Sequence, residues 1–189
     1  MTGLRVIAGK ARGRKLRSVP GSSTRPITDR VKESLFNIIG ADIQAATVLD
    51  LFAGTGSVGI EAISRGAEYA LFIDIDQQAV ATVRANLVST DLSSQGEVRR
   101  IDAFTFLHGK PDHAFDYVYI APPQYKGLWK RTLSTLDANP AWLSPDAWVI
   151  VQIHPREIEP IELQNLVEFD RRQYGSTVLI FYQVPPDGF

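Results

Sequence analysis

The sequence predicts an α/β fold: a mostly parallel sheet with helices on both faces. Three observations carry this prediction. From about residue 46, short apolar runs alternate with segments of helical periodicity, the pattern of strands joined by crossover helices. The first run, Val48-Leu49-Asp50-Leu51-Phe52, leads into a glycine-rich turn that opens a helix. Beyond Pro160 the rhythm changes. Residues 163–174 and 176–184 read as two strands meeting at Gly175 with no helix between them, which requires an antiparallel strand.

The elements follow in order. Residues 4–8 and 14–19 read as short strands around the turn from Gly9 to Gly13. A loop from Pro20 to Pro26 precedes a helix capped by Thr28, with Asp29 in its first turn and Val31, Leu35, Ile38 and Ile39 on one face. After the strand at 48–52 come a helix at 57–65 closed by Gly66, and a strand at 69–73 ending at Asp74. A helix with Val80, Val83 and Leu87 on one face follows, then a strand at 98–101 and a short helix through Phe104 and Leu107. Strands at 115–120 and 148–153 complete the alternating region. The predicted organisation is a basic N-terminal hairpin extension over residues 1–24 and one larger domain over residues 25–189.

Composition narrows the chemistry. There is no cysteine, which excludes disulfides, thiolate metal sites and a cysteine nucleophile. His108, His113 and His154 have no partners at metal-ligand spacing, so no metal is expected. No stretch approaches the apolar length of a membrane span and the first residues hold no long apolar run, so a cytoplasmic location is expected. The net charge of −1 conceals an asymmetry. Residues 1–32 hold nine Lys and Arg against one acid, whereas the remainder holds 11 basic and 20 acidic side chains. Clustered cations on an acidic body suit a polyanion, although a solvated arm has the same composition.

Gly54, Gly56 and Gly59 match the G-x-G-x-x-G pattern of dinucleotide sites, and Asp74 stands at the distance of a ribose contact. Asp50 separates two readings. At a strand end over the glycine turn, its charge repels a pyrophosphate but attracts the ammonium group of a methionine moiety. Asp74 suits a ribose diol in either case. Asp102, after the third strand, is placed to accept from an adenine amino group or simply to cap a helix. Acids at three successive strand ends fit a ligand carrying ammonium, ribose and adenine better than one carrying phosphates.

Several segments carry a more specific likeness: 5–10 with 12–16, Arg25-Pro26-Ile27-Thr28-Asp29-Arg30-Val31-Lys32-Glu33, 48–61, the paired acids Asp74 and Asp76, and Asp102-Ala103 followed by Phe106-Leu107. In these the chain resembles the RsmD family of bacterial 16S ribosomal RNA guanine-N2 methyltransferases over nearly its whole length. The resemblance implies a Rossmann-like class I methyltransferase fold with a seven-strand, mostly parallel sheet, a C-terminal antiparallel hairpin and a small N-terminal β-hairpin. It also implies S-adenosyl-L-methionine (SAM) as cofactor, with Asp50, Phe52, Gly54, Gly56, Asp74, Asp102 and Ala103 lining its site. The segment around Arg25 and Thr28 is then expected to close over it.

Enzymes of this kind carry Asp or Asn, then Pro-Pro and an aromatic residue, after the fourth strand. A guanine exocyclic amine is a poor nucleophile, and two acceptors hold its hydrogens so that the lone pair faces the methyl group while the aromatic ring stacks on the base. This chain reads Ala121-Pro122-Pro123-Gln124-Tyr125. The acidic acceptor is absent and the aromatic residue is displaced by one position. Gln124 offers an amide oxygen in compensation, and Tyr125 a ring. Lys126, Lys130 and Arg131 nearby suit phosphates or a solvated helix face, and Trp129 suits the core or the base pocket. Arg5, Lys10, Arg12, Arg14 and Lys15 are the expected RNA contacts, with ribosomal RNA in the small subunit or an assembly intermediate as partner. Two alternatives remain: a weakly active or non-catalytic SAM- and RNA-binding protein, and an NAD(P)-dependent oxidoreductase.

Overall fold

Parallel strands need crossovers, and those of this chain sort onto the two faces of one sheet. A computed structural model describes residues 3–22 and 26–186. The seven strands are β1 (Thr47–Asp50), β2 (Tyr69–Asp74), β3 (Gly96–Arg100), β4 (Phe115–Ile120), β5 (Leu143–Ile153), β6 (Val167–Tyr174) and β7 (Thr177–Gln183). Their order is β3-β2-β1-β4-β5-β7-β6, with β7 antiparallel to both β5 and β6 and all other pairs parallel. The terminal hairpin turns at Gly175, whose φ is +59°. Helices α1 (Asp29–Ile39), α2 (Ser57–Ser64) and α3 (Gln77–Ser89) contribute to one apolar core, and α4 (Ala103–His108) and α5 (Leu128–Asp137) to the other. The strand order reverses between β1 and β4, and a ligand crevice is expected outside the carboxyl ends of strands at such a point.

Local chemistry accounts for the boundaries. Thr28 caps α1 by accepting from the Val31 N–H at 3.3 Å, and Asp76 caps α3 from Gln78 at 2.9 Å. Gly59 is where α2 meets the sheet: a Cβ there would lie 2.4 Å from the Phe72 ring, so only glycine allows this approach. Several expectations differ from the structure; the strand expected from residue 163 begins at Val167. β5 begins at Leu143 and not Trp148, because a bulge between the pairs Phe115–Leu143 and Tyr117–Trp148 takes the segment with Pro145 out of the ladder. The sequence touches helix α5 only as a solvated face at Lys126, Lys130 and Arg131, whereas Trp129, Leu133 and Leu136 are buried on its inner face.

The N-terminal strands are reduced to one antiparallel bridge, Arg5 with Lys15, framed by Val6 N–H to Arg14 O at 2.9 Å and Leu16 N–H to Leu4 O at 2.8 Å. The ladder stops because the next donors are engaged elsewhere. The N–H groups of Ile7 and Ala8 reach the carboxylate of Glu61 on α2 at 2.9 and 3.0 Å. Those of Lys10 and Ala11 reach Ser64 O at 2.8 Å and Ser64 Oγ at 3.0 Å. Gly9 presses so closely on this helix end that a Cβ would stand 1.8 Å from Ser64 O. Val6, Ala11 and Leu16 are buried in the core shared with α1 and α2.

Glu61 has no exposed surface, and neither has its partner Lys32, whose ammonium lies 3.4 Å away and donates to Arg5 O at 2.5 Å and Ser57 Oγ at 2.9 Å. Burial lowers the Lys32 pKa, and the Glu61 charge opposes that shift. Removing one partner of a buried pair commonly costs about 3–5 kcal/mol, because the other charge is left desolvated. Glu61→Ala is therefore expected to lower the melting temperature by roughly 10 °C. A shift under about 2 °C in a calorimetric scan would contradict this account of the hairpin's attachment.

Candidate active site and cofactor cleft

The carboxyl ends of the central strands open into a cleft of about 750 Å³. One sheet face supplies its floor. Asp50 pairs in register with Tyr119, and Ile120 with Val151, so Ala121 and Gln152 leave the ladder side by side. Phe52, Ala53, Gly54 and Thr55 from the glycine turn, with Ser57 and Val58 of α2, form one wall. Ser18, Val19, Ser22, Pro26 and Ile27 form another, and Pro122, Pro123, Gln124 and Lys126 a third.

Asp50 is the electrostatic centre of the cleft. It is 2% exposed, and its Oδ1 has no hydrogen-bond partner among the described residues. Burial pushes its pKa up to about 7; the Phe52 backbone N–H opposes this, and the charge of Asp74 adds to it. A buried carboxylate oxygen without a cationic or hydrogen-bonding partner is costly, and an ammonium group supplies both. The neighbouring Tyr119 is also buried, which holds its phenol well above the usual range, and its hydroxyl donates to Gln152 Oε1.

The remaining sequence-predicted residues take distinct places. Asp74 accepts from the Gly54 N–H through Oδ2 and from the Asp76 N–H through Oδ1, both at 2.9 Å, so it shapes the glycine turn from behind. Asp102 caps α4, accepting from Thr105 N–H at 2.9 Å, with the buried Ala103 as the first helical residue. Gly56 caps α2 at φ +78°, packed on Val83. None of these four lines the cleft, and neither does Thr28, which caps α1. Arg25 lies outside the described residues. The catalytic segment divides: Ala121 to Gln124 line the cleft, whereas Tyr125 is 63% exposed beside it. Tyr125 adopts φ +63°, donates its N–H to Glu157 at 2.8 Å and sets its ring 5.6 Å from that of His154.

The basic surface is uneven. The side chains of Arg12 and Lys15 are exposed and make no hydrogen bond or ion pair among the described residues. Arg5 pairs with Asp29 at 2.9 Å, Arg14 reaches Ser89 O at 3.1 Å, and Lys10 bonds Gln95. Lys32, counted with the basic end from sequence, is inside. Of the cations near the proline loop, Lys126 lines the cleft, Lys130 pairs with Glu159 at 3.1 Å and Arg131 lies 3.8 Å over the Phe104 ring. Trp129 is core and not a base pocket. Among the described residues no group of three or more acids and histidines is placed to hold a metal. The sequence reading missed Ser18, Val19, Tyr119, Gln152 and Thr177 in the cleft; the last three stand at strand ends, the one signal that was available.

Fold and site together define a class I SAM-dependent methyltransferase. The family model described as Conserved hypothetical protein 95 matches residues 4–183, and the chain belongs to that family, the RsmD family. It is 41% identical over 183 residues to YlbH of Bacillus subtilis, covering 95% of this chain and 98% of that one. It is 37% identical over 185 residues to Ribosomal RNA small subunit methyltransferase D of Escherichia coli, covering 98% and 92%. The solved structure of yhhF from Escherichia coli superposes with a TM-score of 0.85 at 34% identity, over 96% and 97% of the two chains. An RNA methyltransferase from Salinibacter ruber, solved with S-adenosyl-L-homocysteine, shares the fold at a TM-score of 0.65 and 17% identity, over 86% and 95%.

The Asp50 environment makes affinity depend on pH. Below pH about 7 the carboxyl of the free chain takes up a proton and no longer attracts an ammonium group. S-adenosylhomocysteine is expected to bind about tenfold more weakly at pH 6 than at pH 8. Asp50→Asn should abolish that dependence and weaken binding at pH 8. Between pH about 4 and 7 the folded chain keeps a proton that the unfolded chain has lost, so stability falls as pH rises through this window. The Asn variant without ligand should accordingly melt higher than the parent at pH 8. Tight, pH-independent binding by Asp50→Asn in titration calorimetry would remove Asp50 from the ammonium site.

Proposed function

We propose that this chain transfers the methyl group of SAM to the exocyclic N2 of a guanine in 16S ribosomal RNA of the small subunit. One observation carries the reading: Asp50, whose Oδ1 has no partner among the described residues, lines the same cleft as Pro122 and Pro123, so the ammonium-recognising acid and the amine-handling loop share one space. The name of the Escherichia coli relative supports ribosomal RNA as the substrate class.

SAM supplies an electrophilic methyl group on its sulfonium. The chain's residues bind and orient. Asp50 takes the ammonium group, and the glycine turn with Phe52, Gly54 and Gly56 gives the backbone room to approach. Asp74 and Asp102 offer their remaining lone pairs to ribose hydroxyls and the adenine amino group, with Ala103 beneath. Ser18, Val19, Ser22, Pro26 and Ile27 shield the bound molecule from water. The Pro122 carbonyl accepts an amine hydrogen and turns the nitrogen lone pair toward the methyl group. Gln124 and Tyr125 meet the base at the mouth, while Lys126 and the basic hairpin hold phosphates. The hairpin over residues 1–24 serves the larger domain as an RNA grip, and the setting is a ribosomal particle or assembly intermediate in the cytoplasm.

The decisive experiment is methyl transfer from labelled SAM to small ribosomal subunits that lack the guanine mark. Label on a guanine N2 of the 16S RNA is the expected result; label confined to another base or to protein would overturn the reading. Replacing Arg12, Arg14 and Lys15 together by Ala should weaken RNA binding and reduce the slope of log affinity against log salt by about 2. An unchanged slope would remove the hairpin from the phosphate contacts.

A further inference from the structure

The cleft carries a polar pair beside the position where the motif acid is missing, and neither member belongs to the motif. We infer that Gln152, oriented by Tyr119, is the side-chain acceptor for the target amine in this chain, in place of the acid or amide that Ala121 lacks. The inference rests on the guanine reading above and names the residue that completes it.

Three observations converge. The ladder ends with Ile120 opposite Val151, so position 121 and Gln152 emerge as neighbours on adjacent strands. Tyr119 and Ala121 share a sheet face by the two-residue period of a strand, and Ile150 packs in the same core as Tyr119, which puts Gln152 on that face too. Both Tyr119 and Gln152 line the cleft that holds Asp50 and Pro122.

The pair has the right chemistry. An amide oxygen has two lone pairs, and the Tyr119 hydroxyl fills one, leaving the other for a donor in the cleft. A free glutamine side chain loses rotamer freedom when it is made to hold a substrate, and Tyr119 imposes part of that order beforehand. Tyr119 is itself buried against the sheet, and burial disfavours its ionised form, so it remains a donor across the working pH range. Gln124 is the competing acceptor. It sits on the exposed proline loop, and among the described residues its amide has no hydrogen bond to orient it. The acceptor that is already held is the better placed of the two.

The test measures single-turnover transfer to unmodified small subunits alongside S-adenosylhomocysteine affinity and melting temperature. Gln152→Ala should reduce the rate by on the order of 10²-fold while the cofactor affinity stays within about twofold. Gln152→Glu keeps an acceptor oxygen and should stay within about tenfold of the parent rate. Adding Ala121→Asp to Gln152→Ala should recover at least about tenfold, a rescue that a merely structural role would not produce. Tyr119→Phe should slow transfer by about tenfold through lost orientation. A full parent rate in Gln152→Ala overturns the inference, as does a loss that follows weakened cofactor binding or a loss that Ala121→Asp fails to rescue. Transfer by Ala121→Asp with none by the parent overturns it as well, since Gln152 then supplies no working acceptor. If neither transfers to guanine, the guanine reading itself fails and the role of Gln152 falls with it.

Discussion

The arrangement of this molecule depends on one buried anion. Glu61 lies inside α2 and receives the N–H groups of Ile7 and Ala8, the guanidinium of Arg65 at 2.8 Å and the ammonium of Lys32. Removing a carboxylate from water costs several kcal/mol, and only saturation of its lone pairs in good geometry offsets that. Here the saturating groups come from three places: the N-terminal segment, α1 and α2 itself. The carboxylate therefore tolerates few arrangements of those segments. A basic hairpin that composition alone would leave as a solvated arm becomes a fixed surface, carrying Arg12 and Lys15 outward from an anchored backbone.

Comparison with Asp50 separates scaffold from site. Both acids are buried, yet every demand of Glu61 is met within the chain, whereas Asp50 keeps an oxygen with no partner among the described residues. An unfilled acceptor next to a cleft is destabilising in the free protein, and burial accordingly raises its pKa to about 7. The same distinction bears on Asp74 and Asp102. Each is locally satisfied, by the Gly54 and Asp76 amides and by Thr105 respectively, and so only leftover lone pairs are free on either.

Much of this was legible in the sequence because it depends on local chemistry. The strand ends at Asp50 and Asp74, the Thr28 cap and the Gly175 turn are set by neighbours within a few residues. The glycine at position 59 was legible as a motif, although its reason, the Phe72 ring of the next strand, is not local. What the sequence concealed depends on partners distant along the chain. Lys32 reads as one more surface cation until Glu61, 29 positions on, is brought against it. The N-terminal strands read as a longer ladder because nothing local says that the amides of Ile7 and Ala8 are taken by that carboxylate. Gln152 is the penultimate residue of the fifth strand, in an apolar run, and carries no motif, so its place beside Ala121 appears only with the register of β4 and β5.

The hairpin and the cofactor wall are also not mechanically separate. Asn86 on α3 is fully buried and makes a two-way amide pair with the Arg17 backbone, accepting at 2.8 Å and donating at 3.1 Å, while its other donor reaches Thr55 O at 2.9 Å. Thr55 lies in the glycine turn, and the residue after Arg17 begins the cleft wall at Ser18. Lys32 repeats the pattern from the other side, joining Arg5 O to Ser57. Shifting the hairpin against the turn therefore means breaking several buried hydrogen bonds at once, and unsatisfied buried groups cost about 1–3 kcal/mol each. On the function proposed above, rigid attachment at both ends of the hairpin would let a phosphate held on its outer surface define where a base enters the cleft.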